Sequence, residues 1–501
     1  MAGQKRDRSL AVVVIVALGT FMSSFDANAV NMALPLIQRT YGATIATVEW
    51  VAVAYLLAVS ATLLTFGRLA DMWGHKRVYV AGFAGFTVSS LLSALSPTIG
   101  ALVAFRVLQG VCASLMMASA NAVILSAVPA SQRGKALGST AIAVALATCA
   151  GPALGGLLAM RFGWKSIFLV NIPIGIVGTL FAALTIRKDE ERTAQRFDPL
   201  GSLLVATALC AMLLSLDLLS AGMAMSPLVW ALLAGGIALV ALFFVFERRS
   251  RHPILSVRLF TNRVFAAGNV AATLFYVSLF VMVFLAPYFL QGLRGLSPSM
   301  SGVMMLPMSV ALMIVAPISG ALSDRFDSRW FAFAGMIVVA VGETLMGSFT
   351  ATTPAGLILC TFAVIGVGMG LFQTPNNSAV MGSVPTELRG VGGATLATMR
   401  NVGMALGEAI SAALLASCMA TRGFRLALGA GADVGAGVAA GTGAGAAAGA
   451  SVVAGAAAWG TAFSYAIHVT CGIAAAAALA AGLLSLARGR AETSNRSSAS
   501  A

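Results

Sequence analysis

The sequence predicts an all-α polytopic membrane protein, with fourteen transmembrane helices arranged as two six-helix bundles and two further helices inserted between them. Three observations carry that prediction. Only 10% of the 501 residues are charged, 59% are hydrophobic, and mean hydropathy is +0.93. A soluble domain carries roughly 25% charged residues, so this chain has too few polar groups to clothe a water-facing surface. Apolar runs of about 20 residues, the length that crosses a bilayer, recur between Gly, Pro and charged breaks. Basic residues also gather on alternate connecting segments.

Taken in order, the runs lie near 10–37, 48–70, 78–96, 99–128, 136–160, 166–186, 199–220, 227–246, 264–290, 299–323, 330–350, 355–384, 391–420 and 459–486. The first is too long for a signal peptide and lacks a small-x-small cleavage site, so it reads as a retained span. With the N-terminus inside, the outside segments hold Arg39, Arg161, Lys165, Arg294, Arg422 and Arg425, while Arg106 and Arg400 lie within runs. The other 23 of the 31 Lys and Arg fall inside. Both termini are therefore expected on the cytoplasmic side of the cell (inner, cytoplasmic) membrane. The formal charge of +14 is topology, so lipid is an expected partner and nucleic acid is not. One segment leaves the count open. The Ala/Gly-rich tract 427–460 reads as an outer loop or shallow hairpin, because Gly and Ala contribute little to insertion and Asp433 interrupts it. Full insertion would instead carry Arg488, Arg490 and Arg496 outside.

The expected organisation is an N-terminal bundle (1–190), a linker with two additional helices (191–262), a C-terminal bundle (263–490) and a cytoplasmic tail (491–501). The first linker is the charged RKDEERTAQR at 187–196. The second inside loop of each bundle matches the other: Gly67 and Asp71 in GRLADMWGHKR recur as Gly320 and Asp324 in GALSDRFDSRW. Duplicated halves point to a transporter with its binding site between them near the midplane.

The chemistry excluded is broad. All six cysteines (Cys112, Cys149, Cys210, Cys360, Cys418 and Cys471) sit in apolar runs without Cys-x-x-Cys spacing, so neither a disulfide framework nor a metal site is expected. No Gly-x-x-x-x-Gly-Lys-[Ser/Thr] loop occurs and no sizeable soluble domain is present. An enzyme is not expected, nor any cofactor beyond the proton gradient.

GRLADMWGHKR (67–77) resembles the loop signature of the major facilitator superfamily. FRVLQG (105–110) is similar to its span-4 arginine motif, and CAGPALGG (149–156) to the span-5 motif of its antiporters. FDANAVNMALP (25–35) and WKSIFLVNIPIG (164–175) look like the signatures of its 14-helix drug:proton antiporter branch, the multidrug efflux branch. Three positions depart from those patterns: Ala147 where Gly is usual, Lys165 where Arg is usual, and Asp327 where the second-half loop would repeat Gly74. The resemblance implies that Arg106 takes part in proton coupling, and that Gly151, Pro152, Gly155 and Gly156 control leak and the bending of span 5. It also implies that Asp71 and the basic residues of Gly67, Asp71, Gly74, Lys76 and Arg77 lock the outward-open state through charge contacts.

From the residues themselves, Asp26 stands out. An ionised carboxylate inside a span costs about 2.5–3.5 kcal/mol on insertion scales and marks an ion or substrate pathway. A carboxyl group alternating between buried and cation-paired surroundings takes up and releases a proton. Alternatively it is a structural Asp bonded to Asn28 or Asn31. At 1.5 Å per residue, Arg106 lies ~10 Å and Asp26 ~15 Å from the outer ends of their spans, which permits a shared cavity. Glu408 is a candidate for cation recognition or a second proton site, and equally for a structural pair. Arg400 lies at a depth similar to that of Asn376 and Asn377 and either lines the inner cavity with them or ties helices together. Glu343 is open to either role. The Met-rich VMMLPM (303–308) reads as core, or as an adaptable wall for hydrophobic ligands.

The expected function is proton-coupled antiport that exports hydrophobic or cationic drugs by alternating access, with protonation of Asp26 favouring the inward-facing state. The partners are a small drug-like molecule, protons and lipid, and the use of a periplasmic adaptor protein stays open. The other readings are a dedicated exporter of one metabolite, siderophore or antibiotic, and a non-transporting receptor.

Overall fold

The computed structural model describes residues 2–129, 133–186, 199–220, 226–249, 257–323, 326–385, 389–422 and 448–488. The first charged linker, Asp324, Asp433, the Ala/Gly tract up to residue 447 and the C-terminal tail lie outside these residues. So does the side chain of Asp71.

The helices are α1 (Ala2–Tyr41), α2 (Ile45–Trp73), α3 (His75–Ala94), α4 (Ile99–Ala127), α5 (Arg133–Phe162), α6 (Ser166–Leu169), α7 (Asn171–Thr185), α8 (Pro199–Ser220), α9 (Pro227–Arg249), α10 (Arg263–Pro287), α11 (Pro298–Ser323), α12 (Ser328–Gly347), α13 (Ala355–Gly382), α14 (Arg389–Ala420) and α15 (Ala448–Ala487). No strand occurs among the described residues. Ten of these segments are long and apolar enough to cross a membrane, α6 and α7 counting as one (Ser166–Thr185). Of the expected fourteen, α2, α5 and α8 carry only shorter apolar stretches. Polar residues lower the hydropathy of α3, but Ser89, Ser90 and Ser93 face inward and are fully buried. Large apolar side chains such as Ile176, Leu180, Phe181 and Leu184 of α7 face outward instead. This inverted pattern is the one lipid requires.

Short turns make successive helices antiparallel, so one end of the molecule carries the turn at Gly74 and the other the turn at Gly42. In one bundle α1 packs on α5, α2 and α3 on α4, and α7 on α3. In the other, α10 packs on α14 and α15, α11 and α12 on α13, and α12 on α15. The bundles meet along two seams, α2 against α14 and α5 against α11, with α8 leaning on both α2 and α14.

Three irregularities shape the interior. Pro173 has no N–H for the helical bond to the Leu169 carbonyl, and the span breaks between α6 and α7, which places Asn171 at a helix start. After Pro287, α10 continues as one π-helical turn, Tyr288–Leu293, a deviation often found at functional sites. Gly74 separates α2 from α3 with φ +97° and ψ +131°. The sequence reading of 67–77 as a loop is thereby corrected. Gly67 and Asp71 belong to α2, and Lys76 and Arg77 open α3. Charged residues remain compatible with helix after the apolar run has ended, so hydropathy underestimates helix length there. Asp327, standing where Gly74 would recur, instead caps α12 by accepting from the Arg329 N–H at 3.1 Å.

Gly74→Ala should lower thermal stability in detergent by roughly 1–2 kcal/mol, because an L-residue is strained at this φ. Gly67→Ala, whose added Cβ meets nothing within 4 Å, should leave stability unchanged or raise it. Equal melting temperatures for the two variants would discard backbone geometry as the reason for Gly74.

Candidate functional site

Asp26 (α1) and Arg106 (α4) form a salt bridge between Arg106 Nη1 and Asp26 Oδ2, and both residues are completely buried. The other carboxylate oxygen, Oδ1, accepts from Asn171 Nδ2 at 2.8 Å and Gln109 Nε2 at 3.1 Å. Gln109 Nε2 also donates to Ser90 Oγ at 2.9 Å. Arg106 is held further by Nε donating to the Val51 carbonyl at 2.7 Å and Nη1 donating to Gln109 Oε1 at 2.6 Å. Its Nη2 makes no hydrogen bond. Both carboxylate oxygens already face N–H donors, so a proton arriving on Asp26 requires one of those donors to move. The arrangement is a compact ion pair that protonation would break.

The guanidinium carbon of Arg106 lies 4.3 Å from the Tyr55 ring centroid and 5.7 Å from that of Phe168, in cation–π range. Tyr55, donating to the Ser23 carbonyl at 3.2 Å, also lines a cavity between the bundles. Tyr55 therefore touches both the ion pair and that cavity.

The cavity has a volume of ≈ 660 Å³ and is bounded by both bundles, within the range of drug-sized sites. Towards the Gly74 end its lining includes the exposed Leu146, Met313, Pro317 and Ser378. Towards the Gly42 end it stops below a sealed layer in which Met32, Leu34 and Phe284 to Leu290 are fully buried. Gln291 Nε2 donates to the Met32 carbonyl at 3.1 Å across that seal. Among the described residues the cavity is closed towards the Gly42 end, and it opens towards the Gly74 end and beside the exposed Leu146 and Met313. Met305 and Met308, from the Met-rich stretch, form part of its wall with Met117, Met313, Met369 and Met404.

The glycine motif builds the seal. A Cβ on Gly151 or Gly155 would meet Asn28 or Ala29 of α1, and one on Gly156 would fall 2.2 Å from the Pro298 carbonyl oxygen of α11. Reciprocally, a Cβ on Gly302 would fall 2.3 Å from the Pro152 oxygen. Small residues let backbones touch here.

Other sequence-derived candidates separate into distinct places. Asn31 Nδ2 donates to Glu408 Oε1 at 3.1 Å, linking the two bundles within the seal. Glu408 Oε2, Asn31 Oδ1 and the Tyr288 hydroxyl make no hydrogen bond. Glu343 does not join this group, since it is buried in its own bundle and accepts from Ser278 Oγ at 2.6 Å. Asn376 does not pair with Arg400 either. It donates to the Gly268 carbonyl at 3.0 Å and accepts from Arg488 Nη1 at 3.0 Å, which ties α10, α13 and the end of α15 together. Arg400 and Asn377 do line the cavity. Among its described lining residues there is no carboxylate, so neither Asp26, Glu408 nor Glu343 presents charge to a ligand in this state.

Sequence reasoning missed Gln109, Asn171 and Tyr55. The signal for Gln109 was its place three residues after Arg106, on the same helix face, and Asn171 lay inside the WKSIFLVNIPIG stretch. Nothing in the sequence pointed to Tyr55.

Two six-helix bundles with a drug-sized cavity between them, sealed at one end and beside a buried ion pair, define a multi-pass membrane transporter. Residues 16–408 match the Major Facilitator Superfamily, and the chain belongs to it. It is 34% identical to the riboflavin transporter RibZ of Clostridioides difficile (strain 630), over 81% of this chain and 88% of that protein. It is 32% identical to the tetracenomycin C resistance and export protein of Streptomyces glaucescens, over 82% of this chain and 77% of that one. Among solved structures, a bacterial homolog of the human lysosomal transporter Spinster, in an inward-facing and unoccupied conformation, superposes with a TM-score of 0.65 at 15% identity. That match covers 96% of this chain and 98% of the other. The family consists of transporters, and the chain is not an enzyme.

Proposed function

We propose that this chain is a fourteen-span, proton-coupled antiporter that exports hydrophobic drug-like compounds across the cytoplasmic membrane by alternating access. The observation that carries the reading is the Asp26–Arg106 pair, completely buried and in contact with Tyr55, a residue that also lines a drug-sized cavity. The export of an antibiotic named for the Streptomyces glaucescens relative supports the direction and the cargo. The basic residues support a cytoplasmic Gly74 end, and on that orientation the closed Asp26–Arg106 pair and the open Gly74 end fit an inward-facing step of the proposed cycle. Cargo reaches the cavity from the cytoplasm or sideways, where Leu146 of α5 and Met313 of α11 line it while exposed. On the outward side a proton neutralises Asp26 and frees Arg106, and the change of pairing biases the bundles back inward. The preference for cations expected from the sequence is not carried forward, because the cavity wall offers them no carboxylate.

The test is proton movement in vesicles reconstituted with the purified protein and loaded with a pH indicator. A gradient of a transported hydrophobic dye should drive protons the opposite way. Dye movement without any pH change, even with the membrane potential clamped, would sink the proposal. A second reading, a dedicated transporter of one metabolite, is favoured by the 34% identity to a protein named as a riboflavin transporter. Competition by several unrelated dyes would exclude it.

A further inference from the structure

The cavity contains one charged group whose role the coupling mechanism leaves unassigned. Arg400 of α14 lines it, half-buried, and its Nε makes no hydrogen bond. None of the other described lining residues is charged. The Tyr276 hydroxyl, accepting from Gln373 Nε2 at 2.6 Å, faces it, and Tyr55 stands within its electrostatic range. Asn377 and Asn401 complete the polar end of the wall, while methionines and Phe280 make up much of the rest. A half-buried guanidinium set in a largely apolar wall is stabilised by a counter-charge that meets it, and the described lining residues supply none.

We infer that the counter-charge comes from the cargo, and that Arg400 docks the acidic group of amphipathic organic anions (a carboxylate, phenolate or enolate on a flat apolar body). Guanidinium geometry suits a carboxylate through two parallel hydrogen bonds. The six methionines adapt to varied apolar shapes, so charge rather than outline is selected. A cationic cargo in the same volume meets like charge. The inference rests on the proposed export function only in taking this cavity as the cargo site.

Two xanthene dyes of nearly the same shape test it, the anionic fluorescein and the cationic rhodamine 6G. Their binding to the purified full-length protein in detergent, followed by fluorescence polarisation, involves no gradient and is independent of proton coupling. The wild type should bind fluorescein at least tenfold more tightly than rhodamine 6G. Arg400→Gln should lose at least tenfold for fluorescein and nothing for rhodamine 6G, with Arg400→Lys falling between. Tighter rhodamine 6G binding, an equal loss of both dyes in the variant, or no measurable fluorescein binding would overturn the inference. Size-exclusion profiles matching the wild type separate a charge effect from misfolding. If fluorescein binding depends on Arg400 but its efflux moves no protons, the coupling proposal fails and this inference stands. If protons move with cationic dyes alone, the reverse holds.

Discussion

Replacing Asp26 with Asn should abolish gradient-driven efflux while leaving the protein inserted and able to bind cargo. Asn cannot cycle between charged and neutral forms, so the side chain stays in the neutral state and the energy source is disconnected. The magnitude follows from the gradient. One charge crossing 100 mV is worth about 2.3 kcal/mol, which at about 1.4 kcal/mol per decade is roughly a fiftyfold accumulation ratio. Gradient-driven accumulation should fall from about that level to unity. Removing one member of a buried ion pair commonly costs about 3–5 kcal/mol. Here Arg106 keeps the Val51 carbonyl and Gln109 as acceptors, so the bundle should survive. The checks are dye efflux from energised vesicles, exchange of labelled for unlabelled dye without a gradient, and binding in detergent. Exchange and binding should persist. Full uphill efflux by the variant would show that the proton is carried elsewhere, with Glu408 the next group to test. Cargo charge adds an independent check. With one proton per cycle, a monocation moves no net charge, a neutral compound one and a monoanion two, so the accumulation of fluorescein should respond most steeply to membrane potential.

Depth in the membrane was legible in the sequence, and azimuth was not. Hydropathy and rise per residue located the helices to within a few residues over much of the chain and put Asp26 and Arg106 at comparable heights. The two do meet. The same reasoning gave Asn376 and Arg400 similar heights, and they do not meet, because Asn376 points to Gly268 and Arg488 while Arg400 faces the cavity. In a soluble helix the apolar stripe reveals the inward face. In these helices lipid-facing and core-facing residues are both apolar, and rotation about the axis leaves little trace in the sequence. Polar residues inside spans are the exception, and they mark the interior. The serines of α3 did so, as did Asn31 and Glu408, yet which partner each would find across the bundle depended on packing. Tyr55 was the hardest to see, since one aromatic ring in an apolar run is indistinguishable from core until Arg106 is found beneath it.

Gly156→Leu should hold the molecule with its Gly42 end open and reduce transport by at least tenfold without preventing insertion. The added side chain would start 2.2 Å from the Pro298 carbonyl oxygen and 3.3 Å from the Ser299 Cα. Both are backbone atoms of the other bundle, which cannot turn aside as a flexible side chain would. The reciprocal contact of Gly302 with the Pro152 carbonyl leaves α11 no room to shift along α5. Overpacking costs about 1–3 kcal/mol, and it applies only while α5 and α11 touch. In a conformer with those ends apart the leucine faces open space or lipid at little cost. A state-specific penalty of about 2 kcal/mol shifts a two-state equilibrium roughly thirtyfold towards the open form. Spin labels at Arg161 and Met300, both exposed near the Gly42 ends of α5 and α11, would report this as a longer distance distribution. Gly100→Leu, on a glycine whose Cβ would meet nothing within 4 Å, serves as the control and should leave the distribution unchanged. If Gly156→Leu leaves the distances of the wild type while transport is lost, the stripe acts in folding or cargo passage, and close approach at this seam is not what sets the balance between the two states.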